Sequence, residues 1–194
     1  MSTDLGWLAH GWPGLEHVIV TAGPAGYLAA GEVIMAEEEL ITVRYELRCD
    51  TGWRFTGLDI TVFSAVVHRA LSVSADGSGA WLADGQPRPD LAGCVDIDIN
   101  CTPLTNTLPV RRLAWSPSDA HDLDVAYVSV PELEIKPARQ RYTLLDTDGP
   151  GGQSRYRYES GSFRSDLSID RDGWVTDYPG FWSRVGQGSP AGPA

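Results

Sequence analysis

The sequence has few basic residues and no long apolar run. Of its 194 residues, 15 are Lys or Arg and 26 are Asp or Glu, so the formal net charge is −11. An acidic chain repels phosphate backbones and anionic lipid surfaces, which disfavours nucleic acid as a partner. No stretch approaches the roughly 20 apolar residues of a spanning helix. We therefore expect no stable membrane insertion.

Cysteine is also scarce. The chain has three, Cys49, Cys94 and Cys101, with no C-x-x-C pair and no histidine at zinc-finger spacing. An odd number without these patterns argues against a disulfide framework and against a zinc site. We expect buried free thiols, with a Cys94–Cys101 disulfide as the alternative.

The two ends of the chain differ from its middle. The first 16 residues contain several glycines and Pro13 and predict an irregular lead-in, without the basic start and apolar run of a secretory signal. A cytoplasmic location follows as the expectation. Residues 186–194 are small residues with Gly and Pro and predict a disordered tail. No repeat or composition break divides 17–185, so we expect one domain there.

A period of two dominates this middle part. Apolar and polar residues alternate strictly along 95–101, and shorter runs of the same kind occur at 71–75, 132–136, 155–159 and 166–170. Such alternation is typical of strands that are buried on one side. The pattern predicts an all-β protein.

Turn signals separate the strands by short intervals. Asp76-Gly77, Ser160-Gly161 and Asp172-Gly173 suit hairpin turns, in which glycine adopts positive φ. Strands in direct succession indicate an antiparallel meander, because parallel pairs need long crossovers. Longer strands are predicted at 33–49, broken near 37–39, and at 53–63.

Helical and loop signals are fewer. One short helix is predicted at 105–113, where Asn106 can cap the first turn and Pro109 fits within it. The stretches 116–124 and 146–154 are predicted to be loops.

The motif Asp96-x-Asp98-x-Asn100 begins like a calcium loop. It lacks the glycine that follows and the glutamate at the twelfth position, so we predict no metal site. The polar face of this strand is either solvated, or paired with Arg111 or Arg112, or turned toward a ligand cavity. No nucleophile elbow, zinc-protease helix or phosphate loop is present, and no cofactor is predicted.

Several motifs resemble one family of bacterial proteins. They extend from about His17 to Val185, and they include YELRCD (45–50), GCVDID (93–98), TPLTNTLPVRRL (102–113), RQRY (139–142) and DYPG (177–180). The chain resembles the putative glycolipid-binding family, an uncharacterised domain family. The long stretch at 102–113 is its most specific part.

The resemblance implies a large curved antiparallel sheet, between a half-barrel and a two-layer β structure, similar to periplasmic lipoprotein carriers. Such a sheet wraps around an apolar cavity and binds a lipid-like or glycolipid ligand without chemistry. The carriers are exported, whereas this chain shows no export signal. The ligand-binding residues that we predict are the polar and aromatic members of the matching motifs: Trp53, Asp96, Asp98, Asn106, Arg111, Tyr127, Arg139, Tyr142, Tyr156 and Tyr158.

Two other functions stay open at this point. A hydrolase would use Asp96 and Asp98 as acid–base groups with Arg111 as charge stabiliser. A structural or protein-interaction domain would use the same aromatic residues as plain core and would have a filled interior. Structural roles exist for individual residues too, since Asn106 can cap the helix and Arg111 can pair with Asp98. The sequence does not indicate an oligomeric state.

Overall fold

The computed structural model describes residues 1–36, 38–149 and 152–185. Strand makes up 61% and helix 7% of the structure, and one large curved sheet contains fifteen strands without closing. The predicted all-β fold with a curved sheet and one short helix is therefore confirmed. None of the helices in these described ranges is long and apolar enough to cross a membrane.

The strand boundaries follow the alternating runs of the sequence. The strands are β1 (Ser2–Ala9), β2 (Gly14–Gly23), β3 (Gly26–Ala36), β4 (Leu40–Cys49), β5 (Phe55–Phe63), β6 (His68–Ala75), β7 (Trp81–Ala83), β8 (Gln86–Pro87), β9 (Asp96–Ile99), β10 (Ala120–Val128), β11 (Ile135–Gly149), β12 (Gln153–Ser160), β13 (Phe163–Ile169), β14 (Val175–Tyr178) and β15 (Trp182–Arg184). The helix α1 is Thr107–Arg112, and 3-10 turns lie at Pro89–Leu91 and Leu104–Asn106.

Two meanders make up the sheet. Strands β1–β8 form the N-terminal meander and β10–β15 form the C-terminal meander, each with neighbouring strands antiparallel. The meanders join where β1 pairs with β15, with Trp7 opposite Arg184. The Trp7 indole N–H also donates a hydrogen bond to the Val175 carbonyl at 2.9 Å. Strand β9 runs parallel to β10, which departs from the purely antiparallel prediction.

Strands β8 and β9 are the two edges of the sheet, and residues 88–95 connect them. The Arg88 guanidinium donates a hydrogen bond to the Ile135 carbonyl at 2.7 Å. The Val95 N–H donates to the Asp124 carbonyl at 2.9 Å. This connection therefore ties the last strand of the N-terminal meander to the outer strands of the C-terminal one.

The inner face of the N-terminal meander is filled. Its inward side chains, among them Val18, Val43 and Leu58, form one buried apolar cluster with residues of β9, β10, α1 and the 3-10 turn before α1. That second layer includes Ile97, Ile99, Leu104, Leu108, Ala126 and Val128. The C-terminal meander has a separate apolar cluster around Tyr142, Leu144, Tyr156, Leu167 and Val175.

The predicted irregular lead-in at 1–16 is wrong. Strand β1 occupies Ser2–Ala9 and pairs along its length with β2. Leu5, Trp7 and Ala9 are buried, so the period of two is present there. Gly6 lies on the opposite face, where a side chain would press on the backbone carbonyl of Val185 at 3.1 Å.

Two predicted loops and one predicted strand also need correction. The predicted loop at 116–124 is strand from Ala120 onward, because β10 begins there. The predicted loop at 146–154 contains the end of β11 and the start of β12. The run at 132–136 is strand only from Ile135, because Leu133 adopts φ of +56° and breaks the extended backbone. The predicted tail, 186–194, lies outside the described residues.

Other local predictions are confirmed. The break near 37–39 separates β3 from β4. Gly77, Gly161 and Gly173 all adopt positive φ in their turns. The three cysteines are free and buried, so the alternative Cys94–Cys101 disulfide is not formed.

Candidate functional site

The inner face of the C-terminal meander carries a cleft of about 550 Å³, which we call the Tyr178 cleft. This volume lies within the range of small-molecule sites. Its lining combines aromatic rings with hydroxyl, amide, carboxyl and amino groups: Asp98, Ile99, Asn100, Thr102, Asn106, Tyr127, Lys136, Ala138, Tyr158, Ser160, Phe163, Tyr178, Phe181 and Trp182.

Strand register brings the polar residues of the cleft together. Asp98 of β9 lies opposite Tyr127 of β10, which in turn lies opposite Lys136 of β11. Side chains of such partners point to the same face of a sheet. The three residues therefore form a row across three strands on the side that faces the cleft.

An aromatic wall bounds the other side of the cleft. The Tyr178 ring lies 5.1 Å from the Phe181 ring and 6.3 Å from the Tyr158 ring, while Phe163 lies 5.4 Å from Phe181. Gly180 adopts φ of +78°, and the Phe181 N–H donates to the Tyr178 carbonyl at 2.9 Å. This tight turn places Phe181 at the mouth of the cleft, where 41% of the residue is exposed.

Asp98 is held by two neutral side chains. Its Oδ1 accepts a hydrogen bond from the Thr105 hydroxyl at 2.7 Å, and its Oδ2 accepts one from the Gln140 amide at 2.7 Å. Burial raises the pKa of Asp98, while these two hydrogen bonds act in the opposite direction. Each carboxylate oxygen keeps a second acceptor site, so Asp98 can still accept a hydrogen bond from a ligand.

Asn106 is fixed by a buried tyrosine. The Tyr142 hydroxyl donates to Asn106 Oδ1 at 2.8 Å, and Asn106 Nδ2 donates to the Pro103 carbonyl at 3.2 Å. Burial raises the pKa of Tyr142 well above its usual value, which keeps the hydroxyl a donor. Asn106 precedes α1 without a side-chain hydrogen bond to the helix, so the proposed capping role is wrong.

Asp96 forms a buried ion pair away from the cleft. Its carboxylate accepts two hydrogen bonds from Arg112, at 3.1 Å from Nε and 2.6 Å from Nη2, and the residue is only 1% exposed. Burial raises the pKa of Asp96, and the guanidinium counteracts that effect. Asp98 is therefore the one member of the predicted carboxylate pair that lines the cleft.

Arg111 belongs to a different cluster. Its guanidinium lies 4.4 Å from the Trp53 ring centre and 4.9 Å from that of Trp174, and Tyr27 stacks on Trp53 at 4.0 Å. These contacts are typical of a cation–π clamp. Arg111 does not pair with Asp98, and neither Arg111 nor Trp53 lines the Tyr178 cleft.

The ten predicted ligand-binding residues thus fall into three groups. Asp98, Asn106, Tyr127 and Tyr158 line the cleft, and Tyr142 supports it from behind. The remaining five lie elsewhere, with Arg139 exposed near Asp122 and Tyr156 packed on Trp115: Trp53, Asp96, Arg111, Arg139 and Tyr156.

Several cleft residues were missed by the sequence analysis. Tyr178 lies in the DYPG motif, and Phe181 and Trp182 follow it directly, so this motif carried a usable signal. Phe163 and Lys136 lie at strand starts with no distinguishing pattern. Among the described residues, no group of three or more His, Cys, Asp or Glu is arranged to hold a metal ion.

A buried carboxyl supports the cleft from the N-terminal side. Glu16 is 0% exposed, and its Oε1 accepts hydrogen bonds from the Thr102 hydroxyl at 2.6 Å and the Tyr45 hydroxyl at 2.5 Å. The Tyr45 ring passes over β3 at Gly31, which is possible only without a side chain, because a Cβ atom at Gly31 would lie 2.2 Å from the ring. Within the described chain the second oxygen, Oε2, has no partner, and burial raises the pKa of Glu16 to about 7.

Comparisons with known proteins agree with this architecture. The family described as Putative glycolipid-binding matches residues 4–184, so the match begins within β1, before the first of the motifs that carried the resemblance. The chain is also similar to a crystal structure of a DUF1089 family protein from Pseudomonas aeruginosa, with 33% identity and a TM-score of 0.79. The similarity covers 89% of this chain and 92% of that chain. A search of curated proteins returns no match.

Proposed function

Since the chain belongs to the Putative glycolipid-binding family, we propose that it binds a glycolipid-like amphiphile and does not transform it. The observation that carries this proposal is the Tyr178 cleft, where an aromatic wall faces a polar wall across a volume of about 550 Å³. In its broader form the proposal states that the ligand is lipid-like. In its narrower form it states that this ligand carries a sugar headgroup.

The two walls suit the two sides of a sugar ring. The C–H faces of a sugar pack on aromatic rings, whereas its hydroxyls need donors and acceptors. Tyr178 and Phe181 provide the first kind of surface. Asp98 and Asn106 provide hydrogen-bonding groups whose positions are already fixed by neighbouring side chains. Such preorganisation lowers the entropy cost of binding.

The arrangement of carboxylates favours binding over hydrolysis. Acid–base catalysis uses groups within hydrogen-bond reach of the reacting atoms. Asp96 is engaged by Arg112 and lies outside the cleft lining, so among the residues that the structure describes Asp98 is the one carboxylate there. This supports a role for Asp98 as a hydrogen-bond acceptor.

The proposal is tested by asking what the protein carries and what stabilises it. Purified protein is extracted with organic solvent for mass spectrometry, and its melting temperature is measured with octyl glucoside, phosphatidylglycerol and palmitate. A ligand at about 100 times its Kd stabilises by about 2.7 kcal/mol, which corresponds to roughly 5–10 °C for a chain of this size. We expect that shift with the glycoside.

The control uses two phenylalanines. Phe181→Ala removes a ring at the mouth of the cleft, whereas Phe63→Ala removes one that lies under Arg44 outside it. We expect the response to be lost only in the first variant. A protein that carries nothing and responds to none of the three amphiphiles would contradict the proposal.

A further inference from the structure

A second cleft, of about 520 Å³, lies beside the first. We call it the Trp12 cleft. Its apolar side chains come from the turns and strand ends of the N-terminal meander and from the loop after β10: Trp12, Met35, Ile41, Val67, Val130 and Pro131. Neither the family description nor the similar structure assigns anything to it.

Both clefts lie at the same end of the sheet. In a meander, alternate turns fall at the same end because neighbouring strands are antiparallel. The β1–β2 turn and the β14–β15 turn are adjacent there, since Ala9 pairs with Trp182. The His10 N–H donates to the Phe181 carbonyl at 2.8 Å and ties these two turns together.

The two clefts meet at one shared residue and are flanked by two contacting tryptophans. Asn100 lines both of them, and its side chain is fixed to the backbone of Val130 by hydrogen bonds of 2.9 Å and 3.3 Å. The Trp12 and Trp182 rings meet edge to face at 5.0 Å, with Trp12 on one side and Trp182 on the other. A molecule that crosses Asn100 would contact both clefts.

The side chains of the Trp12 cleft suit an apolar chain. Trp12, Met35, Ile41 and Val67 pack on the core but remain only partly buried. Covering them with methylene groups removes apolar surface from water, which is favourable. Methionine adapts its shape to such occupants. Two exposed glutamates, Glu38 and Glu39, also line this cleft and disfavour an anionic group there.

We propose that one amphiphile occupies both clefts, with its headgroup in the Tyr178 cleft and its hydrocarbon chain in the Trp12 cleft. This inference rests on the function proposed above. It assigns a chain-binding role to Met35, Ile41 and Val67, and it makes Asn100 the crossing point between headgroup and chain.

The test measures how affinity depends on chain length. Hexyl, octyl and decyl glucoside are titrated calorimetrically below their micelle concentrations. We expect the affinity of the wild-type protein to rise up to about four-fold for each added methylene. In Met35→Gln this dependence should flatten, while the affinity for the shortest glucoside stays near that of the wild type.

The chain offers matched controls. Ile34→Gln changes the preceding residue of β3, which is exposed on the outer face, so the dependence on chain length should persist. Asp98→Asn should weaken all three glucosides by the same factor without changing the slope. Melting temperatures verify that each variant folds. If Met35→Gln does not fold, Val67→Thr takes its place, because Val67 lies outside the strands.

The outcomes separate the two proposals. An unchanged slope in Met35→Gln, or in Val67→Thr where that variant takes its place, would overturn the chain-binding role, although glucoside binding would still support the proposed function. Failure of every glucoside to bind the wild-type protein would contradict the proposed function itself. A flattened slope in the cleft variants alone supports the two-cleft site.

Discussion

The two meanders use the same alternation to build different interiors. In the N-terminal meander the inward residues are mainly aliphatic, and β9, β10 and the adjoining helical segment cover them except at the end where the Trp12 cleft opens. In the C-terminal meander the inward positions of β12 to β14 include Tyr158, Phe163 and Tyr178, and a cleft remains. The alternation of side chains along each strand therefore decides which of them face inward. Their size and polarity decide whether the interior is closely packed or leaves a cleft.

One segment serves both interiors. Ile97 and Ile99 of β9 point into the filled core, and Asp96 and Asp98 point toward the C-terminal meander. Strand β9 is therefore buried on both faces, and each of its two carboxylates has hydrogen-bond partners because a buried charge without them is costly. The segment acts as the dividing layer of the molecule.

The largest effect is expected from breaking the ion pair at this layer. Arg112→Ala leaves the Asp96 carboxylate buried without a cation, and removal of one partner of a buried pair costs about 3–5 kcal/mol. Urea unfolding measures the loss. The double change Asp96→Asn with Arg112→Met should recover much of it. A loss below about 1 kcal/mol in the single variant would show that the layer is not held by this pair.

A cavity in the filled half should cost somewhat less. Leu58 on β5 is 0% exposed, and a buried Leu→Ala change typically costs about 2–5 kcal/mol. Leu28→Ala, on the outer face of the same meander, is the matched control and should cost under about 1 kcal/mol. Equal losses by chemical denaturation would contradict a solid N-terminal interior.

The buried Glu16 should make this half sensitive to pH. Its pKa rises from 4.5 to about 7 on folding because burial disfavours the anion. Stability therefore falls as pH increases from about 4.5 and levels off above about 7, by about 3 kcal/mol in total. Glu16→Gln should remove this part of the pH dependence, and Glu132→Gln at an exposed position should not. Parallel unfolding curves for the wild type and Glu16→Gln between pH 5 and 8 would disprove the assignment.

The smallest change in stability is expected in the cleft. Phe181 is 41% exposed and its ring packs on Tyr178 and Phe163, so Phe181→Ala should lower the free energy of unfolding by only about 1 kcal/mol. The same variant should lose its thermal response to octyl glucoside. A large loss of stability would mean that the ring belongs to the core, and the contrast between the two interiors would weaken.

The elements that depend on local pattern could be predicted from the sequence. Turns at Gly77 and Gly173 and the short helix followed from residue types alone. The first strand was missed because Gly6 and Leu8 stand on its outer face, where alternation leads one to expect polar residues. Its pairing with β15 also depends on residues far along the chain. The parallel placement of β9 likewise depends on tertiary structure.

The candidate site was predictable only in part, because local alternation identifies the polar face of a strand but not what covers it. The polar face of β9 thus marked Asp98, whereas its neighbours in the cleft come from distant strands. Arg111 and Arg112 are adjacent in sequence, and only the direction of each side chain on α1 decides which one meets Asp96. Asn106 and Tyr142 form a hydrogen bond across 36 positions, which no short motif could indicate.

The pairing of β1 with β15 also dictates an order of assembly. Each meander forms from hairpins between successive strands, whereas the hydrogen bond from Trp7 to Val175 joins residues 168 positions apart. Contacts at such separation form slowly, because the chain entropy of closing the loop must be overcome first. During synthesis β1 therefore remains an unpaired edge until β15 has left the ribosome. The seam between the first and last strands is the final step that makes the sheet continuous.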